Sequence, residues 1–192
     1  MKSFKKLYFV CSVAIILLCG CATVPETGRN QLLLVSSSEE IQLGITSFEK
    51  LKKETPISKD PQINELVQKV GRRIAAVANL PGAQWEFVVF DSKEANAFCL
   101  PGGKVGVYTG ILQVTKNEAG LATVIGHEVA HAVARHGGER ISQALLLQTG
   151  ESLLGKAIST ADPKIQTATL LAYGVGATVG VQLPYSRLQE SE

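Results

Sequence analysis

The pattern His-Glu-Val-Ala-His at positions 127 to 131 constrains the fold of this 192-residue chain more than any other feature. A helix turns by 100° per residue, so His127 and His131 leave the same face about one turn apart. Apolar residues recur at helical spacing around the motif, which predicts a long central helix from Asn117 to the glycine pair at 137 and 138. Buried polar side chains without partners are costly, so the pattern favours a metal site over two chance histidines.

The motif also predicts a chemistry. Zinc binds neutral imidazole nitrogens in a tetrahedral shell, so His127 and His131 are predicted ligands of one Zn²⁺ per chain. Glu128 is the predicted catalytic base, which takes a proton from the water that attacks a peptide carbonyl. These three residues together predict a zinc metalloendopeptidase.

A catalytic zinc needs a third protein ligand, and the motif does not contain one. The metzincin pattern requires His at position 137, where this chain has Gly. His136 is excluded because an ideal helix rotates it about 140° away from His131, where it is expected to interact with the helix C-terminus. A glutamate on a later helix is the other common source of the third ligand.

Residues 1–20 are predicted to be a targeting segment. Lysines precede an apolar run from Leu7 to Leu18, which is too short for a permanent membrane span but typical of a signal peptide. The sequence Leu18-Cys19-Gly20-Cys21 resembles a bacterial lipobox, which predicts cleavage before Cys21 and its acylation; an ordinary secretory signal is the alternative. Ala22 is not the aspartate of a retention signal, so we expect a lipoprotein of the outer membrane that faces the periplasm.

Charge and cysteine content argue against nucleic-acid binding and against an intramolecular disulfide. Three of the 19 basic residues lie in the signal segment, so residues 21–192 carry 16 basic against 17 acidic residues. Without a basic surface, nucleic acid is not an expected partner. Once Cys21 is acylated, Cys99 is the remaining cysteine of the mature chain, so no intramolecular disulfide is expected. Cys99 lies in an apolar run and is interpreted as a small buried residue without chemistry.

The remaining patterns predict an α+β domain that is mainly helical, with a small β-sheet. Residues 21–35 are interpreted as a tether and residues 36–192 as one domain. A capping box at Ser37 and the Asp60-Pro61 pair mark two helix starts. Three β-prone runs follow over 85–90, 96–100 and 104–109, and the turn signal at 101–103 predicts a hairpin between the last two.

Residues 139–183 predict one or two more helices, with a start at Asp162-Pro163. Residues 165–183 carry no charge and are about long enough to cross a bilayer. They are nevertheless rich in Ala, Thr and Gly, which favours a soluble hairpin that covers the site over a membrane span.

Three motifs in order resemble metallopeptidase family forty-eight, which includes the CAAX prenyl proteases and BepA-like zinc endopeptidases. The first is Asn96-Ala97-Phe98 running into Leu100-Pro101-Gly102-Gly103, and the second is the segment from Gly126 to Ala132. The third, from Ser186 to Glu192, resembles the start of the family segment SRxxExEAD. The resemblance extends from about Thr23 to the end of the chain.

The resemblance implies a zincin-type, gluzincin-like fold in which Glu190 is the third zinc ligand. Without the resemblance, the sequence around Glu190 favours its interpretation as a solvated surface carboxylate. The family aspartate falls two residues beyond Glu192, so the domain is expected to be incomplete at its C-terminus. The strand that carries Asn96, Ala97 and Phe98 is expected to border the cleft and to pair with extended substrate; Phe98 as a core residue and Asn96 as a turn residue are the alternatives.

The resemblance further implies cleavage of unfolded or misassembled envelope proteins, so polypeptides are the expected substrates. The lipobox implies a lipid anchor as the membrane contact, and the sequence does not identify any envelope-assembly partner. A second hypothesis is a chaperone-like or binding lipoprotein that keeps the protease fold without cleaving. A third is a membrane-embedded CAAX-type protease. Zinc content, cleavage of a test protein and membrane topology discriminate among them.

Overall fold

The computed structural model describes residues 21–192, so the predicted signal peptide lies outside the described residues. In chain order the elements are β1 (Cys21–Thr23), β2 (Asn30–Leu32), α1 (Ser37–Glu54), α2 (Pro61–Ala75), β3 (Glu86–Phe90), β4 (Ala97–Leu100), β5 (Lys104–Tyr108), α3 (Glu118–Val133), α4 (His136–Ala157), α5 (Pro163–Ala177) and α6 (Leu183–Glu190). A short 3₁₀ segment and a single helical turn precede α3, and a π-helical segment joins α5 to α6. The prediction of a mainly helical α+β fold is confirmed.

The described chain forms two compact units. One contains residues 35–137, and the other contains residues 21–34 together with residues 138–192. Residues 36–192, for which the sequence predicts one domain, therefore contribute to both units.

A three-stranded sheet is the centre of the 35–137 unit, with the strand order β3-β5-β4. β5 pairs in parallel with β3 and in antiparallel with β4. The predicted β4–β5 hairpin is confirmed, and its turn needs the two glycines Gly102 and Gly103, whose φ angles are +85° and +76°.

Both faces of this sheet are covered. Because side chains alternate along a strand, Val105 and Val107 of β5 point to one face and Gly106 to the other. The first face packs against α2 and α3 in the main hydrophobic core, whose buried members are Val67, Val70, Phe87, Val89, Ala97, Val105, Val107, Ile111, Leu121, Ile125 and Val129. On the second face Phe48 of α1 lies edge-to-face with Phe90 and Phe98. α3 is thereby held on the sheet through its apolar side.

The helix starts follow capping chemistry. Asp60 caps α2 by accepting the backbone N–H groups of Gln62 and Ile63, with Pro61 in the first turn as predicted. The predicted capping box of α1 is displaced by one residue, because Ser36 has the extended backbone of an N-cap and bonds reciprocally with Glu39.

The predicted end of α3 at the glycine pair is wrong. The helix ends at Val133, and Arg135 takes a φ of +58° in the left-handed region. The Arg135 guanidinium forms an ion pair with the buried carboxylate of Glu40 and donates to the carbonyl of Val35 at 3.3 Å. A non-glycine residue in this region costs about 1–3 kcal/mol. The contacts with Glu40 and Val35 offset that cost, so the chain turns two residues before the first glycine.

Residues 21–34, all but the last residue of the segment for which the sequence predicts a tether, are folded within the unit that also contains residues 138–192. β1 and β2 form an antiparallel hairpin in which Val24 is buried. Arg29 makes a bidentate ion pair with Glu139 of α4 at 2.9 Å for both bonds and donates to Glu192 at 2.8 Å. Glu139 is fully buried, and removal of one partner of such a pair costs about 3–5 kcal/mol. An ion pair that the sequence pattern does not reveal therefore anchors this segment.

The predicted helices over 139–183 are confirmed as α4 and α5, with Asp162 as the N-cap of α5. The hydroxyl of Tyr173 on α5 donates to the carbonyl of Leu147 on α4 at 2.8 Å. Among the residues that the structure describes, no helix combines the length and apolar character that a membrane crossing requires.

Candidate metal centre and cleft

The two histidines of the motif meet on one face of α3, as helix geometry predicts. Nε2 of His127 lies 3.0 Å from Nε2 of His131, and the ring centroids are 4.4 Å apart. The opposite face carries Leu121, Ile125 and Val129, which are buried in the core and fix the rotation of the helix. The imidazole pair is therefore presented by a helix whose other side is immobilised.

The donor atoms fit a zinc ion. Two nitrogens bound to one tetrahedral zinc at 2.0–2.1 Å are about 3.3 Å apart. The observed separation of 3.0 Å between the Nε2 atoms of His127 and His131 is within a few tenths of that value. Since both atoms belong to imidazoles, which zinc prefers, the pair could supply two ligands after a small adjustment.

Glu128 is carried by the helix that packs against the edge strand β4. It is half-buried on α3, which packs on β4. Burial raises the pKa of the β4 thiol Cys99 to about 12, and the negative charge of Glu128 adds to that effect. Cys99 is therefore a neutral thiol at physiological pH, in agreement with its interpretation as a residue without chemistry.

His136 does not lie where ideal helix geometry predicts. Because α3 ends at Val133, the chain returns His136 to the motif, and its Nδ1 lies 2.7 Å from Nδ1 of His131. The expected interaction of His136 with the helix C-terminus stays a prediction, and the contact that the structure shows is with His131 in the last turn of α3. The His136 side chain is buried and contacts the second histidine of the motif directly.

The strand that carries the predicted substrate-binding residues is an edge strand. Asn96 is exposed just before β4, and Ala97 is buried in the main core. Phe98 belongs to an aromatic cluster with Phe48, Phe90 and Tyr108. A Cβ added to the neighbouring Gly106 would lie 2.2 Å from the Phe98 ring, so the glycine makes room for it. The side chains of Ala97 and Phe98 thus pack internally, and the backbone of β4 is the part offered at the edge.

The other predicted site residues lie in the unit of residues 21–34 and 138–192. Cys21 is the first residue of β1. Glu190 is exposed at the end of α6, and the adjacent Gln189 is buried and donates to Glu139 at 2.7 Å. The bond from Gln189 to Glu139 connects the last turn of α6 to the Arg29 ion pair. The roles of Cys21 and Glu190 remain predictions.

Two contacts near the motif could not be predicted from the sequence: the bond of His136 to His131 and the ion pair of Arg135 with Glu40. The second joins residues 95 positions apart. The one available signal is that Glu40 is an acidic residue on the face of α1 that also carries Gly44 and Phe48, both of which are buried. A charge on a buried face implies a partner of opposite charge, but it does not identify that partner.

A helix with the HExxH sequence, packed on a small sheet in a mainly helical chain, defines the class as a zincin-like metallopeptidase. The model of peptidase family M48 matches residues 61–192. This chain therefore belongs to peptidase family M48.

Relatives of two kinds support the assignment. The mitochondrial metalloendopeptidase OMA1 of Saccharomyces cerevisiae is 31% identical over 182 residues, which cover 88% of this chain and 50% of the relative. OMA1 of Arabidopsis thaliana is 39% identical over 120 residues, or 62% of this chain and 24% of the relative. The beta-barrel assembly-enhancing protease of Escherichia coli is 29% identical over 114 residues, or 59% and 23%. The matched regions span half or less of the length of each relative.

Proposed function

We propose that this chain is a zinc-dependent metalloendopeptidase. The observation that carries the proposal is the convergence of His127 and His131 at 3.0 Å between their Nε2 atoms, on the motif helix of a family M48 chain. Glu190 is proposed as the third ligand, because it is the first glutamate of the segment that resembles the family pattern. A carboxylate and two imidazoles form one of the common protein ligand sets of catalytic zinc.

Each residue then has a defined role. Bound zinc supplies the polarisation of the peptide carbonyl and the lowered pKa of water. Glu128 takes the proton of the attacking water and afterwards delivers it to the leaving amine. Glu128 is half-buried on α3, and α3 packs on β4, the strand that we propose to hold the substrate.

Substrate binding is proposed at the free edge of β4. Within the described residues β4 pairs with β5 alone, so its outer backbone groups can accept an extended peptide. Asn96 is exposed at the start of this edge, whereas Ala97 and Phe98 are occupied by packing. Recognition through the main chain has little sequence selectivity, which suits unfolded polypeptides of many sequences.

Metal removal tests the proposed function. The purified chain is expected to contain about one zinc per molecule and to cleave casein, to lose cleavage after chelation, and to regain it when zinc is restored. Mass spectrometry of the metal and gel analysis of casein fragments measure both properties. Casein cleavage by the metal-free chain would contradict the zinc mechanism. Zinc and casein binding without fragments would favour the non-cleaving chaperone-like lipoprotein.

The proposed substrates are unfolded or misassembled proteins of the bacterial envelope. The name of the E. coli relative describes a protease that enhances β-barrel assembly. The lipobox-like sequence at Cys21 independently suggests that this chain is located in the bacterial envelope. Residues 1–20 are proposed as the signal, Cys21 as the acylated residue, and the periplasmic face of the outer membrane as the location.

Cys21→Ser is expected to move the protein from the membrane fraction to the soluble fraction of bacteria that express it, because the acyl chains are the proposed anchor. Cys99→Ser is the matched control and should remain in the membrane fraction, since Cys99 is a half-buried residue of β4 with no proposed lipid. Fractionation followed by immunoblotting measures the distribution. Membrane retention of Cys21→Ser would contradict the lipid anchor.

A further inference from the structure

His136 is the buried titratable residue next to the motif to which the proposed mechanism gives no role. It is the first residue of α4, and its side chain is 2% exposed. Its ring lies 5.0 Å from the His131 ring between centroids, and the two Nδ1 atoms are 2.7 Å apart. That separation is a hydrogen bond, so one of these two nitrogens carries the hydrogen and the other accepts it.

The two nitrogens of His131 have different neighbours. Nε2 faces Nε2 of His127 at 3.0 Å, whereas Nδ1 faces His136. The two nitrogens lie on different edges of the imidazole ring, so His136 contacts the edge of His131 that is turned away from the proposed metal position. This arrangement makes His136 a partner of a ligand and not a ligand itself.

We propose that His136 is a positioning residue that holds the His131 ring with Nε2 toward the metal; this inference rests on the proposed zinc site. A neutral imidazole that binds metal through Nε2 carries its hydrogen on Nδ1. Nδ1 of His131 is therefore the donor, and Nδ1 of His136 is the acceptor. The hydrogen of a neutral His136 is then on its own Nε2.

The turn after α3 places His136 next to Nδ1 of His131. On a continuous helix His136 would be rotated about 140° from His131. The left-handed backbone of Arg135 redirects the chain, and the ion pair of Arg135 with Glu40 holds that backbone from α1. The orientation of a ligand on α3 is thus secured by a residue near the start of the same 35–137 unit.

Three substitutions at one position test the proposal by zinc affinity, measured by competition with a chelator. Partners that orient a metal-binding histidine typically change affinity 10- to 100-fold, so His136→Leu is expected to weaken zinc binding by that factor. His136→Asn places an amide oxygen where Nδ1 was and should stay within about threefold of the wild-type affinity. His136→Gln places its amide near the Nε2 position and should weaken binding as Leu does.

Wild-type affinity in the Leu variant would overturn the proposal. Equal losses in the Asn, Gln and Leu variants would also overturn it, because a purely structural role of the buried ring predicts that result. Circular dichroism of the metal-free variants establishes that each is folded. A wild-type chain that binds no zinc would contradict the proposed function itself, whereas zinc binding that is insensitive to position 136 contradicts the positioning role alone.

A second measurement does not depend on how the variants fold. Nitrogen-15 NMR of the zinc-loaded wild-type chain reports which ring nitrogen of each histidine carries hydrogen. The expected spectrum has the hydrogen of His131 on Nδ1 and that of His136 on Nε2. A hydrogen on Nδ1 of His136, with His131 accepting, would overturn the assignment.

Discussion

Glu128→Gln is expected to reduce casein cleavage by about 10²- to 10⁴-fold while zinc stays bound, because the amide keeps the size of the side chain but cannot accept the proton of water. The two histidines of the motif are unchanged, so their Nε2 atoms remain available to the metal. Initial rates of casein cleavage and zinc content per chain, both measured on the same sample, check the two halves of this expectation.

The matched control for this variant lies on the same helix. Glu118→Gln makes the same chemical change in the first turn of α3, where the carboxylate forms surface ion pairs with Lys69 and Arg73. Exposed pairs contribute at most about 1 kcal/mol, so cleavage by this variant should be close to that of the wild type. If Glu128→Gln and Glu118→Gln cleave casein at the same rate, Glu128 is not the base.

Glu190→Gln is expected to lower zinc affinity by more than about 100-fold and to remove cleavage with it. Loss of groups that merely orient ligands already costs 10- to 100-fold, and Glu190 is proposed to bind the metal itself. Zinc affinity by chelator competition is the measurement. An affinity within tenfold of the wild type would show that the third ligand is another group.

The segment offers its own control. Glu192 lies two residues later and is engaged by Arg29 at 2.8 Å, so Glu192→Gln should affect the Arg29 ion pair more than the metal. Its zinc affinity is expected to remain within about tenfold of the wild type, with a lower midpoint of thermal unfolding. A larger loss of zinc affinity in Glu192→Gln than in Glu190→Gln would reverse the two assignments.

Local patterns predicted the local structure well. Asp60 and Pro61 start α2, and the glycines at 102 and 103 turn the β4–β5 hairpin, because capping and positive φ are properties of short segments. The parallel pairing of β3 with β5 was not predictable in the same way. It joins strands that are separated along the chain by β4, and strand order depends on packing of the whole unit.

The same distinction between local and long-range interactions applies to the residues of the candidate metal site. The spacing of His127 and His131 by itself determined that two imidazoles share a face, since any α-helix places residues four positions apart together. The tertiary structure decided the position of His136, because the ion pair of Arg135 with Glu40 stabilises a backbone turn that the local sequence disfavours. Helix geometry is encoded in neighbouring residues, whereas the contact that ends α3 joins residues 95 positions apart and exists only in the folded unit.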